Sequence, residues 1–205
     1  NQPIVAPWNL SRFAETLLPL IAEKPEDAVL DAQKIIEGFD SHYNSAYRNL
    51  MLKKIGITAT SSENSSQLFK QVEDFLNILK NQEADFTNSF GTLENHLINK
   101  DIPKNLNTPP TSSVLNDWIK NWKAILNRQN PNGQVTLDTL RKSNPHVIPR
   151  NHQIEKLISE SVQHLKNGQE EFSLFKKMLE EFSNPFRECF NATNLTTPPN
   201  ELEKV

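Results

Sequence analysis

The densest group of side chains able to do chemistry lies in residues 144–155, where two prolines lead into a predicted helix. Arg150 can fork onto a carboxylate or onto backbone carbonyls, and Asn151 can cap the helix that starts at His152. His152 and Glu155 are three residues apart on that helix, a spacing that favours a local hydrogen bond. The pair Arg150–Asn151 indicates a buried structural anchor, and direct ligand binding is the alternative.

A second polar group combines an indole, an amide and a guanidinium in what the sequence predicts to be the opening turn of a helix. Its members are Trp8, Asn9 and Arg12. A simple helix cap is one interpretation of this group. Docking against another domain is the other.

The remaining sequence contains no motif that specifies a reaction. The five glycines are isolated, whereas a phosphate-binding loop needs several within a few residues so that backbone amides approach the anion. His146 and His152 are six residues apart, and no third ligand completes a metal site. Kinase-type catalytic motifs are absent as well, and Asp85-Phe86-Thr87 reads as part of a helix. We therefore assign no catalytic, cofactor-binding or metal-binding residue to this chain.

Composition excludes several classes of partner. The net charge of −3 gives no electrostatic basis for binding nucleic acid, and the basic pair Lys53-Lys54 is expected on a solvated face. No apolar run approaches the roughly 20 residues needed to span a bilayer, so we expect no membrane association. A single cysteine, Cys189, excludes an internal disulfide framework and indicates a reducing compartment, the cytoplasm.

Apolar residues repeat at three- and four-residue spacing along most of the chain, and no segment alternates as a strand would. The pattern predicts an all-α, irregular bundle of about 8–9 helices. Pro25 suits the first turn of the second helix, and Asp40 is expected to cap the third. The stripe containing Trp118 and Trp122 indicates core packing, with a ligand or partner surface as the less favoured interpretation.

Breaks in this pattern divide the chain. One helix is expected over residues 83–96, Ser112 or Ser113 is expected to cap the next, and Thr136 a short one after that. The predicted organisation has an N-terminal helical subdomain (1–98), a linker or surface excursion (99–112), a C-terminal helical subdomain (113–190) and an extended polar tail (191–205).

These segments also resemble a known family. Trp8-Asn9-Leu10-x-Arg12-Phe13-Ala14-Glu15 resembles the segment that follows the catalytic lobe in the selenoprotein O family. Asp85-Phe86-Thr87-x-x-Phe90 is similar to a later helical motif of that family. The most specific match is Asn144-Pro145-x-x-Ile148-Pro149-Arg150-Asn151-His152-x-Ile154-Glu155. Similarity extends over most of the chain in the same order and is weakest across residues 99–111.

The resemblance implies a parent with a pseudokinase-like fold that transfers AMP from ATP to Ser, Thr or Tyr hydroxyls of proteins, using Mg or Mn. Its nucleotide site would lie upstream of Asn1, so this chain would be a C-terminal, non-catalytic region without ATP or metal of its own. The expected partners are the upstream kinase-like lobe and, for the parent, protein substrates. Trp8, Asn9 and Arg12 would form one contact with that lobe, and Arg150 and Asn151 another.

Two further expectations follow. The isolated chain should expose apolar surface where the lobe would pack and should therefore form homodimers. Cys189 does not match the position of the cysteine or selenocysteine in the tail of family members and receives no redox role. The alternative function is an autonomous helical protein-interaction module without enzymatic activity.

Overall fold

Helices account for all regular structure in the part of the chain described by the computed structural model, residues 2–58, 65–168, 172–186 and 193–200. In chain order they are α1 (Gln2–Ile21), α2 (Pro25–Glu37), α3 (Phe39–Lys54), α4 (Ser65–Asn81), α5 (Phe86–Gly91), α6 (Leu93–Ile98), α7 (Ser113–Gln129), α8 (Gln134–Ser143), α9 (Asn151–Lys166), α10 (Ser173–Ser183) and α11 (Thr193–Thr196). A 3-10 turn, Lys104–Leu106, precedes α7. Among these residues eight helices have ten residues or more and no strand occurs, which confirms the all-α prediction.

The chain folds as two compact units, Asn1–Leu50 and Met51–Val205. In the first unit α1 packs along α2, whose buried residues are Ala28 and Ala32. Short side chains at such a contact allow two helix axes to approach closely. Pro25 opens α2 as predicted, because its fixed φ angle and missing N–H suit the first helical turn.

An aromatic chain forms the centre of the second unit. Phe75 of α4 stacks on Trp118 of α7 with ring centroids 4.5 Å apart, and Trp118 stacks on Trp122 at 5.3 Å. Phe90 of α5 meets the edge of Phe75 at 5.0 Å. The indole N–H of Trp122 donates to the carbonyl oxygen of Ile55 at 2.7 Å, so this fully buried ring leaves no polar atom unsatisfied.

Both tryptophans therefore belong to the core, as the favoured interpretation of their spacing predicted. The helix that carries them begins where the sequence indicated. The Ser112 side chain accepts a hydrogen bond from the backbone N–H of Leu115 at 3.2 Å and so caps α7. The remaining buried apolar residues of this core come from the end of α3, from α4, α6, α7 and α8, and from the turn after α3.

The single helix predicted for residues 83–96 is wrong, because two short helices, α5 and α6, occupy this region. The Asp85 side chain accepts the N–H of Asn88 at 2.8 Å and starts α5. Thr92 ends it, with its hydroxyl donating back to the carbonyl oxygen of Asn88 at 2.9 Å. A polar side chain that bonds to the backbone in this way competes with continuation of the helix.

Two predicted caps are also wrong. Asp40 lies inside the first turn of α3, which begins at Phe39. Thr136 is buried inside α8, which begins two residues earlier because Gly133 adopts a left-handed conformation (φ 69°) and turns the chain directly into the helix. One helical turn, Thr193–Thr196, stands where the sequence predicted an extended tail.

The division between the compact units lies inside the first predicted subdomain, and the subdomain organisation stays a prediction. The segment 99–112 is tied down at its centre: the carbonyl oxygen of Asn107 accepts the backbone N–H of Asp85 at 2.7 Å. Cys189, residues 191 and 192, and the tail beyond Asn200 lie outside the described residues.

Gly56 and Gly133 form a matched pair for testing how closely the core is packed. Both adopt left-handed φ angles, 72° and 69°. A Cβ on Gly56 would lie 2.9 Å from Cγ2 of Thr136 and 3.2 Å from Cγ of Leu140, whereas a Cβ on Gly133 would have no described atom within 4 Å.

We predict that Gly56→Ala lowers the free energy of unfolding by about 2–4 kcal/mol, because backbone strain and overpacking of the α8 contact add. Gly133→Ala should cost only the strain, about 1–2 kcal/mol. Urea denaturation of both variants measures the difference. Equal losses of unfolding free energy in the two variants would contradict the prediction, because they would show that α8 accommodates the added methyl group without strain.

Candidate functional site

A buried ion pair joins two helix starts in the second unit. Arg150 occupies the N-cap position of α9, and Asp85 occupies that of α5. The guanidinium donates from Nη1 to Oδ2 of Asp85 at 2.8 Å and from Nη2 to Oδ1 at 2.9 Å. The side chains are only 9% and 13% exposed, so both charges are nearly withdrawn from water. This two-point geometry fixes the orientation of both groups, which a lysine could not do.

Asn88 extends the pair into a network. Its Nδ2 donates to the carbonyl oxygens of Leu106 and Thr196, both at 2.8 Å, and its Oδ1 lies 3.5 Å from Nη2 of Arg150. Its own backbone N–H is bound by the Asp85 carboxylate. One buried amide thus links α5 to the 3-10 turn and to α11, two segments with few apolar residues of their own.

The polar atoms of this network are directed inward. Both carboxylate oxygens of Asp85 accept from Arg150, and four of the five guanidinium N–H groups lie on the two nitrogens that make this contact. Within the Arg150–Asp85–Asn88 network, Nε of Arg150 is the one described side-chain atom that is buried without a hydrogen-bond partner. The geometry is that of a structural clamp, and it leaves no carboxylate directed at solvent for a metal ion or a phosphate-bound magnesium.

A second polar contact holds the turn that precedes α9. Lys54 at the end of α3 donates from Nζ to the carbonyl oxygen of Ser143 and to Oδ1 of Asn144, both at 3.2 Å. Asn144 returns a bond from Nδ2 to the carbonyl oxygen of Lys54 at 2.8 Å. Burial lowers the pKa of Lys54 from its usual 10.5. The ammonium also lies 5.4 Å from the ring centroid of Phe90 and 5.7 Å from that of Phe86, where aromatic faces attract a cation.

The prediction that Lys53-Lys54 lies on a solvated face is therefore wrong for Lys54, although Lys53 is exposed. The last turn of α3 lies against the turn between α8 and α9, and Lys54 is on the side of the helix that faces this turn. A second ion pair, Arg141 Nε to Glu94 Oε2 at 2.6 Å, joins α8 to α6 with a buried carboxylate and a half-exposed guanidinium.

The predicted polar group of Trp8, Asn9 and Arg12 lies inside α1 rather than in an opening turn. Trp8, Asn9 and Arg12 are all exposed, and Arg12 pairs with Glu15 at 2.6 Å while its guanidinium lies 6.0 Å from the Trp8 ring centroid. These residues belong to the unit Asn1–Leu50, whereas Arg150 belongs to the other unit. Their assignment as an interdomain contact stays a prediction.

The residues that follow Arg150 are placed differently from the prediction. Asn151 is exposed and is the first residue of α9, so it does not occupy the cap position. Within the described residues no hydrogen bond joins His152 to Glu155. His152 lines a groove of about 570 Å³ between α9, α10 and residues 195–200, whereas Glu155 is exposed and does not line this groove.

Sequence reasoning missed Asp85, Asn88 and Lys54 as site residues. Asp85 carried a usable signal, since an aspartate before an aromatic helical stripe is a common N-cap. Its charge partner is 65 residues away in the sequence, and no local pattern predicts that distance.

The described residues do not fit a nucleotide–metal site. No group of three or more His, Cys, Asp or Glu side chains among them could hold a metal ion. The buried acids Asp85 and Glu94 each form an ion pair with an arginine. In addition, none of the described helices is long and apolar enough to cross a membrane.

These features are those of an all-α structural region, in which buried charged side chains pair with one another and hold neighbouring helices in position. The chain belongs to the protein adenylyltransferase SelO family, whose family model matches residues 1–183. Similar curated proteins carry the name protein nucleotidyltransferase YdiU. The one from Rhodopseudomonas palustris (strain HaA2) is 32% identical, over all of this chain and 40% of that protein.

The corresponding proteins of Bacillus cereus (strain ATCC 10987 / NRS 248) and Brevibacillus brevis are each 32% identical, covering 91% and 98% of this chain. Those matches span 35% and 38% of the two relatives. The chain therefore spans about two fifths of the length of the curated relatives it matches.

We predict that Arg150→Met lowers the free energy of unfolding by about 3–5 kcal/mol, because it leaves the Asp85 carboxylate buried and uncompensated. Arg150→Lys should recover only part of this loss, since an ammonium cannot reproduce the two-point contact. The matched control is Lys70→Met, which removes an exposed pair with Asp74 in the same unit and should cost less than about 1 kcal/mol. Urea denaturation of the three variants provides the comparison, and a similar small loss in all three would contradict the clamp.

The lowered pKa of Lys54 predicts a pH dependence. Between its pKa in the folded state and 10.5, the unfolded chain binds more protons at Lys54 than the folded chain does. Stability contributed by this group therefore rises with pH through that window and is lower below it. We expect the unfolding free energy of the wild type to increase relative to that of Lys54→Met as the pH rises. Lys53→Met, at the exposed neighbour, is the control, and identical pH slopes for the two variants would contradict the prediction.

Proposed function

We propose that this chain is the C-terminal helical region of a cytoplasmic protein adenylyltransferase. The whole protein would transfer AMP from ATP to Ser, Thr or Tyr hydroxyls of protein substrates with Mg or Mn. This region would itself be non-catalytic and would support the kinase-like lobe. Membership of the family supports the activity of the parent, and the single cysteine of the sequence supports a reducing compartment.

The chemistry of AMP transfer supports a non-catalytic role for this region. A hydroxyl oxygen attacks the α-phosphorus, the bond to the bridging oxygen breaks, pyrophosphate leaves and the hydroxyl proton passes to a base. Such transfers depend on metal-binding carboxylates and cations directed at the phosphates. Here the buried groups that could supply them, Asp85, Glu94 and Lys54, bind Arg150, Arg141 and backbone or amide oxygens instead.

The exposed apolar surface of α1 is the observation on which the proposed support of the kinase-like lobe depends. Ile4 is 78% exposed and Trp8 63%, and Phe13 and Leu20 are exposed as well. Exposed apolar side chains in this number on one helix indicate a protein interface. In this proposal the upstream lobe covers them, with Trp8, Asn9 and Arg12 at its contact.

Arg150 and Asn151 would contribute a second contact in a different way. Arg150 is committed to Asp85 and holds the start of α9 in place, while the exposed Asn151 remains accessible to the lobe. The anchor thus positions the contact residue that follows it.

The alternative is an autonomous helical interaction module without enzymatic activity. An apolar groove of about 430 Å³ along α9 and α10 favours it, because a stable module with such a groove could bind a partner by itself. The two functions differ in whether AMP transfer appears when the upstream part of the protein is present.

The deciding experiment uses ATP labelled at the α-phosphate, with Mg or Mn and a mixture of acceptor proteins. We expect no transfer by the 205-residue chain and transfer by the longer protein that includes the upstream lobe. ATP labelled at the γ-phosphate is the control, because it labels acceptors only if phosphate rather than AMP is transferred. Labelling by the short chain alone would overturn the non-catalytic role, and no labelling by the longer protein would favour the interaction module.

A further inference from the structure

The apolar groove along α9 and α10 is not used by the proposed adenylyltransferase function. Ile158, Val162 and Leu165 of α9 are 50%, 44% and 52% exposed. Phe172 and Phe175 form the opposite wall. These side chains follow the three- and four-residue spacing of one helix face, so they form a continuous strip.

Opposite charges flank this strip at its two ends. Glu155 and Lys166 are both exposed. They are separated by about three helical turns and therefore project from the same side of α9. The acidic end lies toward the N-terminus of the helix and the basic end toward the C-terminus.

We propose that this groove is the interface of a homodimer in which α9 of one protomer packs antiparallel against α9 of its partner. A two-fold axis between Ile158 and Val162 brings Ile158 of one protomer against Val162 of the partner subunit. The same axis places Glu155 opposite the last turn of the partner helix, within one residue of Lys166 of the partner subunit, and it does so twice. A parallel arrangement would instead oppose Glu155 to Glu155.

The exposed area agrees with a second copy as the occupant. Five side chains of the groove, with Leu179 one turn further along α10, are each 39–55% exposed. Together they present on the order of 500 Å² of apolar surface per protomer. Since roughly 60% of an interface is apolar, this corresponds to about 800 Å² in total per partner, the usual size of a specific interface.

The small side chain of Ser161 lies in the same groove. A short residue near the proposed axis allows two helices to approach closely, as they must where they cross. This inference does not rest on the proposed lobe contacts at α1 and Asn151, because its residues lie further along α9 and on α10.

Charge reversal tests the arrangement by sedimentation equilibrium of the 205-residue chain. We expect the wild type to form dimers, and Glu155→Lys and Lys166→Glu each to weaken dimerisation about tenfold, since two attractive pairs become repulsive. An equimolar mixture of the two single variants should recover dimers, because each protomer then meets the opposite charge at both ends. The double variant Glu155→Lys/Lys166→Glu should also dimerise as the wild type does.

Two controls separate this interface from other association. Lys70→Glu reverses an exposed charge elsewhere in the same unit and should leave dimerisation unchanged. Trp8→Ser removes a large apolar side chain of α1 and should also have no effect. Helical content by circular dichroism verifies that each variant is folded.

Four results would overturn the proposal. They are a monomeric wild type at all concentrations, single charge variants that dimerise normally, a mixture that fails to recover dimers, and loss of dimers in Trp8→Ser. The last would place the self-association on α1.

Discussion

The second unit depends on one constraint, the need to neutralise two charges that are almost removed from water. Arg150 and Asp85 satisfy each other through two parallel hydrogen bonds at 2.8 and 2.9 Å. Withdrawing a single charge from water would be strongly unfavourable, so neither residue can hold its position without the other. Because each residue also begins a helix, the pair fixes the relative positions of α5 and α9. The asparagine beside it, Asn88, then fixes two segments that lack a core of their own.

The aromatic core and this polar network have different physical roles. Stacking of Phe75, Trp118 and Trp122 buries apolar surface and stabilises the contact of α4 with α7, but dispersion forces alone specify orientation weakly. Hydrogen bonds to charged groups are directional. The core therefore accounts for the stability of the helical scaffold, while Arg150 and Lys54 determine where the chain enters α9.

Sequence periodicity was sufficient to predict the helices that bury an apolar stripe, because the i, i+3, i+4 pattern arises from the same helical geometry that the structure shows. It predicted α7, a cap at Ser112 or Ser113, of which Ser112 is the one, and both core tryptophans. It failed over residues 83–96, where the Asp85 cap starts a helix at Phe86 and Thr92 ends that helix before α6 begins. It also failed at Lys54, whose burial depends on a turn about 90 residues away. Long-range partners of polar residues leave no local pattern, so the centre of the site could not be predicted from the sequence.

Family membership and the contacts of individual residues are two different kinds of information about this chain. The relatives are nucleotidyltransferases, yet the described charged groups of this region are bound to one another. A polar residue in a family motif is therefore no evidence of catalysis by itself. Arg150 lies in the most specific motif of the chain, and both of its terminal nitrogens donate to the Asp85 carboxylate. Where a motif residue is buried in such a pair, folding accounts for its presence. Exposed residues beside it, such as Glu155, are the ones available for recognition.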